Sequence, residues 1–303
     1  MKIIKSAITY KAELPRAEVM AEHLKEIPFE PVGETFISRA SFVPNPATGE
    51  LLTSIDGGFS ITVRYDEKIL PKAAVRAAIA EAQKKYEEEI GELDKEQAAA
   101  LAERVTADLI AKALVKTSTV NAFYHTEKQL LIVPASKNLA NVVINLLIKA
   151  CGSVKTSTIH VDDIKGGLTT RLRSHLDGAE DAFQGFKLGE SCLLKHKSEK
   201  VSFDLANLDH AKQGLGEALN SEMQVERMEL VHGEMSFKLA KDFRISGIDY
   251  FGELTEEEMD EREDWDGAMI WRTEASVQML QLVAAIDQLC HVFGYKEPVA
   301  EAA

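Results

Sequence analysis

The sequence predicts an α+β fold, with mixed or antiparallel sheets and a helical hairpin projecting from them. Three observations predict it. Short β-type runs separated by local turn signals fill the first 70 residues and much of the last third, without regular βαβ alternation. Residues 72–116 change character: they are rich in Ala, Glu, Lys and Gln and poor in large apolar side chains. A strongly apolar helical stretch follows, Asn138 to Ala150, and a second helical pattern closes the chain.

Taken in order, Lys2–Tyr10 reads as a strand. Ala17, Met20, Ala21 and Leu24 then recur at helical spacing between Pro15 and Pro28. Thr35–Val43 and Phe59–Tyr65 are β-type runs, punctuated by Asn45-Pro46 and Gly57-Gly58. The hairpin is expected over 72–90 and 95–115, broken at Gly91, with Asp94 as N-cap and Gln97 as its N3 partner. Its large apolar residues are few, among them Ile79, Tyr86, Ile90, Leu93, Leu101, Val105, Leu109, Ile110 and Leu114. Such a hairpin buries little on its own, so it should stand out from the body and offer its stripe to a partner surface. Strands at 119–125 and 129–134, a strand at Thr156–Val161 and a short helix at Leu168–Leu176 follow. The last third holds strands at 223–231, 234–240 and 243–250, an acidic loop and a final helix. On that helix Val277, Leu280, Ala284 and Leu289 contribute to one apolar side, widened by Met279, Leu282, Val283 and Ile286. There is no internal repeat.

At 303 residues, 45% hydrophobic and 28% charged, the chain has the composition of an ordinary globular protein with a sizeable core. The N-terminal Met1-Lys2-Ile3-Ile4-Lys5-Ser6 has no signal-peptide core. The apolar run Leu139–Cys151 is interrupted by Asn141, Asn145 and Lys149 and is too short to span a bilayer, so a cytoplasmic protein with no membrane association is expected. Cys151, Cys192 and Cys290, odd in number and without CxxC spacing, read as three reduced, mostly buried thiols. The formal net charge of −14 argues at first against nucleic acid. Its distribution changes that: residues 253–266 hold nine carboxylates and one Arg, a local −8, leaving −6 for the other 289 residues. Between Ser136 and Lys200, ten Lys/Arg face seven Asp/Glu, a local +3. A basic face on an acidic body is therefore compatible with the total.

No motif for bound chemistry is present. The sequence lacks a GxxxxGK[ST] loop, a complete GxGxxG, an HExxH and a GxSxG elbow; Gly214-Leu215-Gly216 is an isolated fragment. The histidines at 23, 125, 160, 175, 196, 210, 232 and 291 never fall at chelating spacing, so neither a metal nor another cofactor is expected. The run Glu256, Glu257, Glu258, Asp260, Glu261, Glu263, Asp264 and Asp266 is the one candidate for Mg²⁺-dependent nuclease ligands. A continuous like-charged run is better read as a solvated surface. The basic candidates are spread out: Lys68, Lys72 and Arg76 at the start of the hairpin, Lys112 and Lys116 at its end, Lys137, Lys149, Lys155, Arg171 and Arg173 in the middle, and Lys195, Lys197 and Lys200 in LLKHKSEK. Spread over several elements, they are suited to line one concave face.

Several stretches, in order, resemble the bacterial recombination-associated protein family RdgC. They are Phe29-Glu30-Pro31-Val32-Gly33, Phe42-Val43-Pro44 and, most specifically, Arg64-Tyr65-Asp66-Glu67-Lys68-Ile69-Leu70-Pro71, which runs straight into the hairpin. Gln129-Leu130-Leu131-Ile132-Val133, Gln184-Gly185-Phe186, Met235-Ser236-Phe237-Lys238-Leu239 and Ile245-Ser246-Gly247-Ile248 continue the pattern nearly to the end. The resemblance implies a ring-forming homodimer that binds double- and single-stranded DNA with little sequence preference. It also implies a non-catalytic, nucleoid-associated role in which occupying DNA antagonises the RecA recombinase. Three units follow from it: a central α+β domain (1–70 with 117–190), a hairpin tip (71–116) and a β-rich base with the C-terminal helix (191–303), with subunits joined tip to tip and base to base.

On this reading the DNA-binding candidates are Lys68, Lys72, Arg76, Lys112, Lys116, Lys195, Lys197 and Lys200. The sequence also departs from the family. Where relatives carry a Phe at the end of the tip hairpin, Ala111-Lys112-Ala113-Leu114-Val115-Lys116 keeps the charges but has Leu114, which becomes the candidate dimer gate. A Lys-Gln pair of the family's base loop falls on Ser202-Phe203. Two other readings stand beside this one: a Mg²⁺-dependent nuclease using the 253–266 carboxylates, and a protein that binds a recombinase directly.

Overall fold

The computed structural model describes residues 3–154, 157–158, 164–252 and 265–295. Among them are twelve strands: β1 (Ser6–Lys11), β2 (Ser38–Val43), β3 (Leu52–Ile55), β4 (Gly58–Lys68), β5 (Val115–His125), β6 (Leu130–Val133), β7 (Ser157–Thr158), β8 (Lys187–His196), β9 (Glu199–Asp204), β10 (Gln224–His232), β11 (Met235–Ala240) and β12 (Ile245–Tyr250). Seven helices accompany them: α1 (Ala17–Lys25), α2 (Lys72–Glu89), α3 (Lys95–Lys112), α4 (Lys137–Cys151), α5 (Ile164–Leu176), α6 (Leu208–Asn220) and α7 (Gly267–Val292). The fold is α+β, and among the described residues all strand pairs are antiparallel.

The strands form one sheet in the order β2-β4-β5-β6-β1-β12-β11-β10-β8-β9, with β3 on β4 and β7 on β1. Strand β1 is the joint. Ser6 and Ala7 pair with β12, while Ile8–Lys11 pair with β6, so one strand stitches the two halves together. Strand β8 spans the boundary expected at residues 190 and 191.

The run Leu130-Leu131-Ile132-Val133 is buried throughout because the sheet is covered on both faces here. Leu131 and Val133 pack with Met20 and Leu24 of α1 and with Val143 and Leu147 of α4. Leu130 and Ile132 point the other way, into the cluster with Trp271, Met279 and Leu282 of α7. Trp271 stacks on Phe123 of β5 at 6.3 Å between ring centres. Helix α7 thus serves both halves of the sheet, and of its expected apolar side Leu289, Met279, Leu282, Val283 and Ile286 are buried, whereas Val277, Leu280 and Ala284 are not. Val277 and Leu280 lie outward, 46% and 41% exposed, while Ala275, Met279, Leu282, Ile286 and Leu289 are buried. The helix is apolar nearly all round, so periodicity alone does not select a face.

Gln278 of α7 is buried, and its Oε1 accepts hydrogen bonds from the backbone N–H groups of Ile3 (2.9 Å) and Ile4 (3.0 Å). Substituting Gln278→Leu removes the shared acceptor of two N–H groups, and each unsatisfied buried donor costs about 1–3 kcal/mol. A loss of about 2–4 kcal/mol is expected in urea denaturation, and a change under about 0.5 kcal/mol would show the tie to be dispensable.

The hairpin grows out of a long β-ribbon. Strands β4 and β5 pair over their full length, from Gly58 opposite His125 to Lys68 opposite Val115, and the N–H of Ile69 donates to the carbonyl of Leu114 at 2.8 Å. Helices α2 and α3 are then inserted at the ribbon's end. Helix α3 opens on the expected capping box: Asp94 Oδ1 accepts from the Gln97 N–H at 2.8 Å, and Gln97 Oε1 from the Asp94 N–H at 3.1 Å. No residue of α2 is buried and only Leu101 of α3 is. The hairpin ends at Lys112 rather than 115, because pairing with β4 draws residues from Ala113 onward into extended backbone. Leu114 therefore lies beyond the helical stripe expected to include it.

Candidate nucleic-acid interface

Lys195, Lys197 and Lys200 come together on one hairpin. Strands β8 and β9 pair with Lys195 opposite Lys200 and His196 opposite Glu199, so Lys197 and Ser198 form the connecting turn. Lys197 takes φ +50, a conformation usually left to Gly or Asn. Two lysines directly opposite repel each other, which an ordinary sheet edge avoids.

Around this hairpin the fold gathers cations distant in sequence. Arg173 arrives from α5, where its Nη2 donates to the Leu219 carbonyl at 2.6 Å. Arg227 lies on β10, and Lys241 and Arg244 flank the tight turn between β11 and β12. Two adjoining hollows of about 620 and 290 Å³ result, sharing Glu226 and Lys241 in their linings. Together they are lined by seven Lys/Arg against three carboxylates (Glu222, Glu226 and Asp242), a local +4 on a chain of −14. Lys241 Nζ lies 2.6 Å from Glu226 Oε2; this bond, with the further pull of Lys241, Lys195 and Lys200, holds the Glu226 carboxyl below its ordinary range despite partial burial. Arg227, Lys241 and Arg244 had no distinguishing signal in the sequence.

The tip candidates form a second group at the hairpin root. Lys72 and Arg76 sit one turn apart and exposed on α2, Lys112 ends α3, and Lys116 is exposed opposite Glu67 on the ribbon. Lys68 is different: it is 6% exposed, and its Nζ donates to the Glu34 carbonyl at 2.8 Å, pinning the loop that precedes β2. It does not line the outer surface of the chain. Leu114 is 77% exposed, and Ile37, Ile69 and Val115 are exposed nearby along the paired backbone, where the Ile69 N–H donates to the Leu114 carbonyl and the Lys68 N–H to the Ile37 carbonyl. The tip group and the base group stand near opposite ends of the strand order, so the chain does not merge them.

Other candidates resolve into structure. Among the described residues no three His, Cys, Asp or Glu side chains converge on a metal-sized site. Residues 253–264 of the acidic run lie outside the described residues, and Asp266 caps α7 by accepting from the Met269 N–H at 2.7 Å. The three cysteines are unpaired. Burial pushes the Cys192 thiol up to about 12 and Cys290 to about 11, so neither is an activated nucleophile. Among the described residues no helix is long and apolar enough to cross a membrane.

Comparison with known proteins adds the ancestry. Residues 3–296 match the family model described as "Putative exonuclease, RdgC". The chain belongs to the RdgC family. It is similar to the "Recombination-associated protein RdgC" of Neisseria gonorrhoeae (strain NCCP11945), 27% identical over 257 residues, which cover 82% of this chain and 83% of the relative. The proteins of the same name from Pseudoalteromonas atlantica and Psychromonas ingrahamii are 28% and 30% identical over 50% and 45% of this chain, and 52% and 47% of their own lengths. Two RdgC-like motifs sit at joints of the structure. Glu67 to Pro71 carries the ribbon into the hairpin, with Pro71 as the N-cap of α2. Gly185, at φ +84, sits where a Cβ would lie 2.6 Å from the Gln288 side chain, whose Nε2 donates to the Gln184 carbonyl at 2.7 Å.

Proposed function

We propose that this recombination-associated chain is a sequence-nonspecific DNA-binding protein that grips the backbone of duplex and single-stranded DNA. The observation that carries this reading is the basic cleft at the β8–β9 end, a local +4 gathered from four parts of an acidic chain. Clustered Lys/Arg in a concave lining focus positive potential and suit phosphates. Lys72, Arg76, Lys112 and Lys116 form a second contact at the hairpin root. Two such groups, far apart in one protomer, suit a ring-shaped homodimer joined at both ends, with Leu114 in the tip contact. By occupying DNA the ring would antagonise a RecA-type recombinase.

The family's description also names an exonuclease, so the test separates binding from hydrolysis. Purified protein is incubated with end-labelled duplex and Mg²⁺ over a salt series. Retarded, intact DNA is expected, with log affinity falling against log salt by about 0.9 per phosphate neutralised. Shortened DNA that survives repurification and is lost on replacing Glu256, Glu257 and Glu258 would favour the nuclease. A salt-independent affinity would remove the electrostatic reading.

The tip contact has its own test. An exposed Leu that fills a partner's apolar pocket contributes about 1.5–3 kcal/mol. Leu114→Ser is therefore expected to shorten retention on closed circular DNA relative to linear duplex. A folded Leu114→Ser variant that holds closed circles as long as the unaltered chain would show that Leu114 is no gate.

A further inference from the structure

We infer that Glu226 is a built-in competitor for DNA phosphate: it holds Lys241 within the basic cleft of the free protein and yields it when a phosphodiester enters. The inference rests on the DNA-binding reading of that cleft. Its geometric basis is a register shift. Along β10, Val225 lies opposite Leu194 and Arg227 opposite Leu193, which leaves Glu226 as the extra residue of a β-bulge. A bulge re-aims a side chain that regular pairing would direct elsewhere. Here it turns the carboxylate to the wall shared by the two hollows.

Glu226 is tied to Lys241 twice. Its Oε2 lies 2.6 Å from Lys241 Nζ, and its carbonyl accepts from the Lys241 N–H at 3.1 Å. The two side chains remain 39% (Lys241) and 29% (Glu226) exposed, so the pair is open to an incoming ligand. A part-exposed ion pair adds little stability. Its value lies in where it stands: Lys195 and Lys200 oppose each other across β8 and β9, and both of them pull on the Glu226 carboxylate. A backbone phosphate presents the same chemistry, anionic oxygens that accept from ammonium groups. When it takes these cations, the carboxylate loses its partners and is repelled towards solvent. Glu226 thereby keeps the grip weak and exchangeable.

The experiment uses the full chain carrying Glu226→Gln, which preserves shape and removes the charge. Fluorescence anisotropy with a labelled duplex of mixed sequence is followed over a salt series. Neutralising one more phosphate corresponds to a salt slope steeper by about 0.9, and so to binding about eightfold tighter at 0.1 M salt. Adding Lys241→Met to the same chain is expected to abolish this tightening. Glu226→Ala, read in the same way, covers the case in which circular dichroism shows the glutamine variant unfolded. Unchanged or weaker binding by a folded Glu226 variant overturns the competitor role, and the DNA-binding reading survives if Lys195, Lys197 and Lys200 still prove necessary. If alanine at those three lysines leaves affinity untouched, the cleft is not the interface and both fall.

Discussion

Replacing Lys195, Lys197 and Lys200 together by alanine is expected to weaken duplex binding about 500-fold at 0.1 M salt, with the salt slope flattened by about 2.7. The figure assumes one phosphate per lysine at about 0.9 released counterion each. These three residues are the most concentrated charge in the cleft, carried on one two-strand hairpin, and Lys197 and Lys200 are exposed. Their removal leaves Glu222 and Glu226 facing the incoming phosphates with fewer cations to offset them. Net charge alone also falls, so a control is needed. Lys84 and Lys85, on the outer run of α2 beside Glu88 and Glu89, change the total without touching either basic group, and alanine there should cost little affinity. A folded triple variant within about fivefold of the unaltered chain, or a Lys84/Lys85 variant that loses as much, would show that the cleft does not set the affinity.

The second large effect concerns the ribbon that carries the hairpin. Gly58→Ala is expected to destabilise the fold by at least about 3 kcal/mol. A Cβ at Gly58 would stand 1.9 Å from the carbonyl oxygen of Tyr124 on the paired strand, and a backbone atom in a ladder has no rotamer by which to retreat. The position begins the eleven-residue β4 strand, so a displaced start disturbs the pairing that later places Lys116 and Leu114. Gly49→Ala is the comparison. Gly49 lies at positive φ, +72, but nothing stands within 4 Å of an added Cβ, so only backbone strain of about 1 kcal/mol is expected there. Guanidinium denaturation of the two variants should separate them clearly. Equal, small losses would show that the strands do not approach as closely as described.

Local chemistry was legible wherever a residue's neighbours in sequence were also its partners in space. The helical hairpin, its break at Gly91, the Asp94–Gln97 capping box and the poverty of its core all follow from residues three or four apart. So does the strongly apolar α4. The β8–β9 hairpin was not legible, because its turn is Lys197-Ser198 rather than Asn-Gly or Asp-Gly, and the positive φ falls on a lysine. The outward face of α7 was hidden for a related reason. When a helix is apolar on every side, burial is decided by what lies across from it, here Phe123 and the half of the sheet beyond β1.

By itself the sequence determined the fold class, the projecting hairpin, and an acidic body with Lys195, Lys197 and Lys200 held close along the chain. Only the tertiary structure decided that Arg173, Arg227, Lys241 and Arg244 join those three lysines, that Lys68 is buried against Glu34, and that a bulge turns Glu226 into the cleft. The physical reason is range. Capping, periodicity and turn chemistry act over a few residues, whereas a field of charge is the sum of whatever strand order and register bring together.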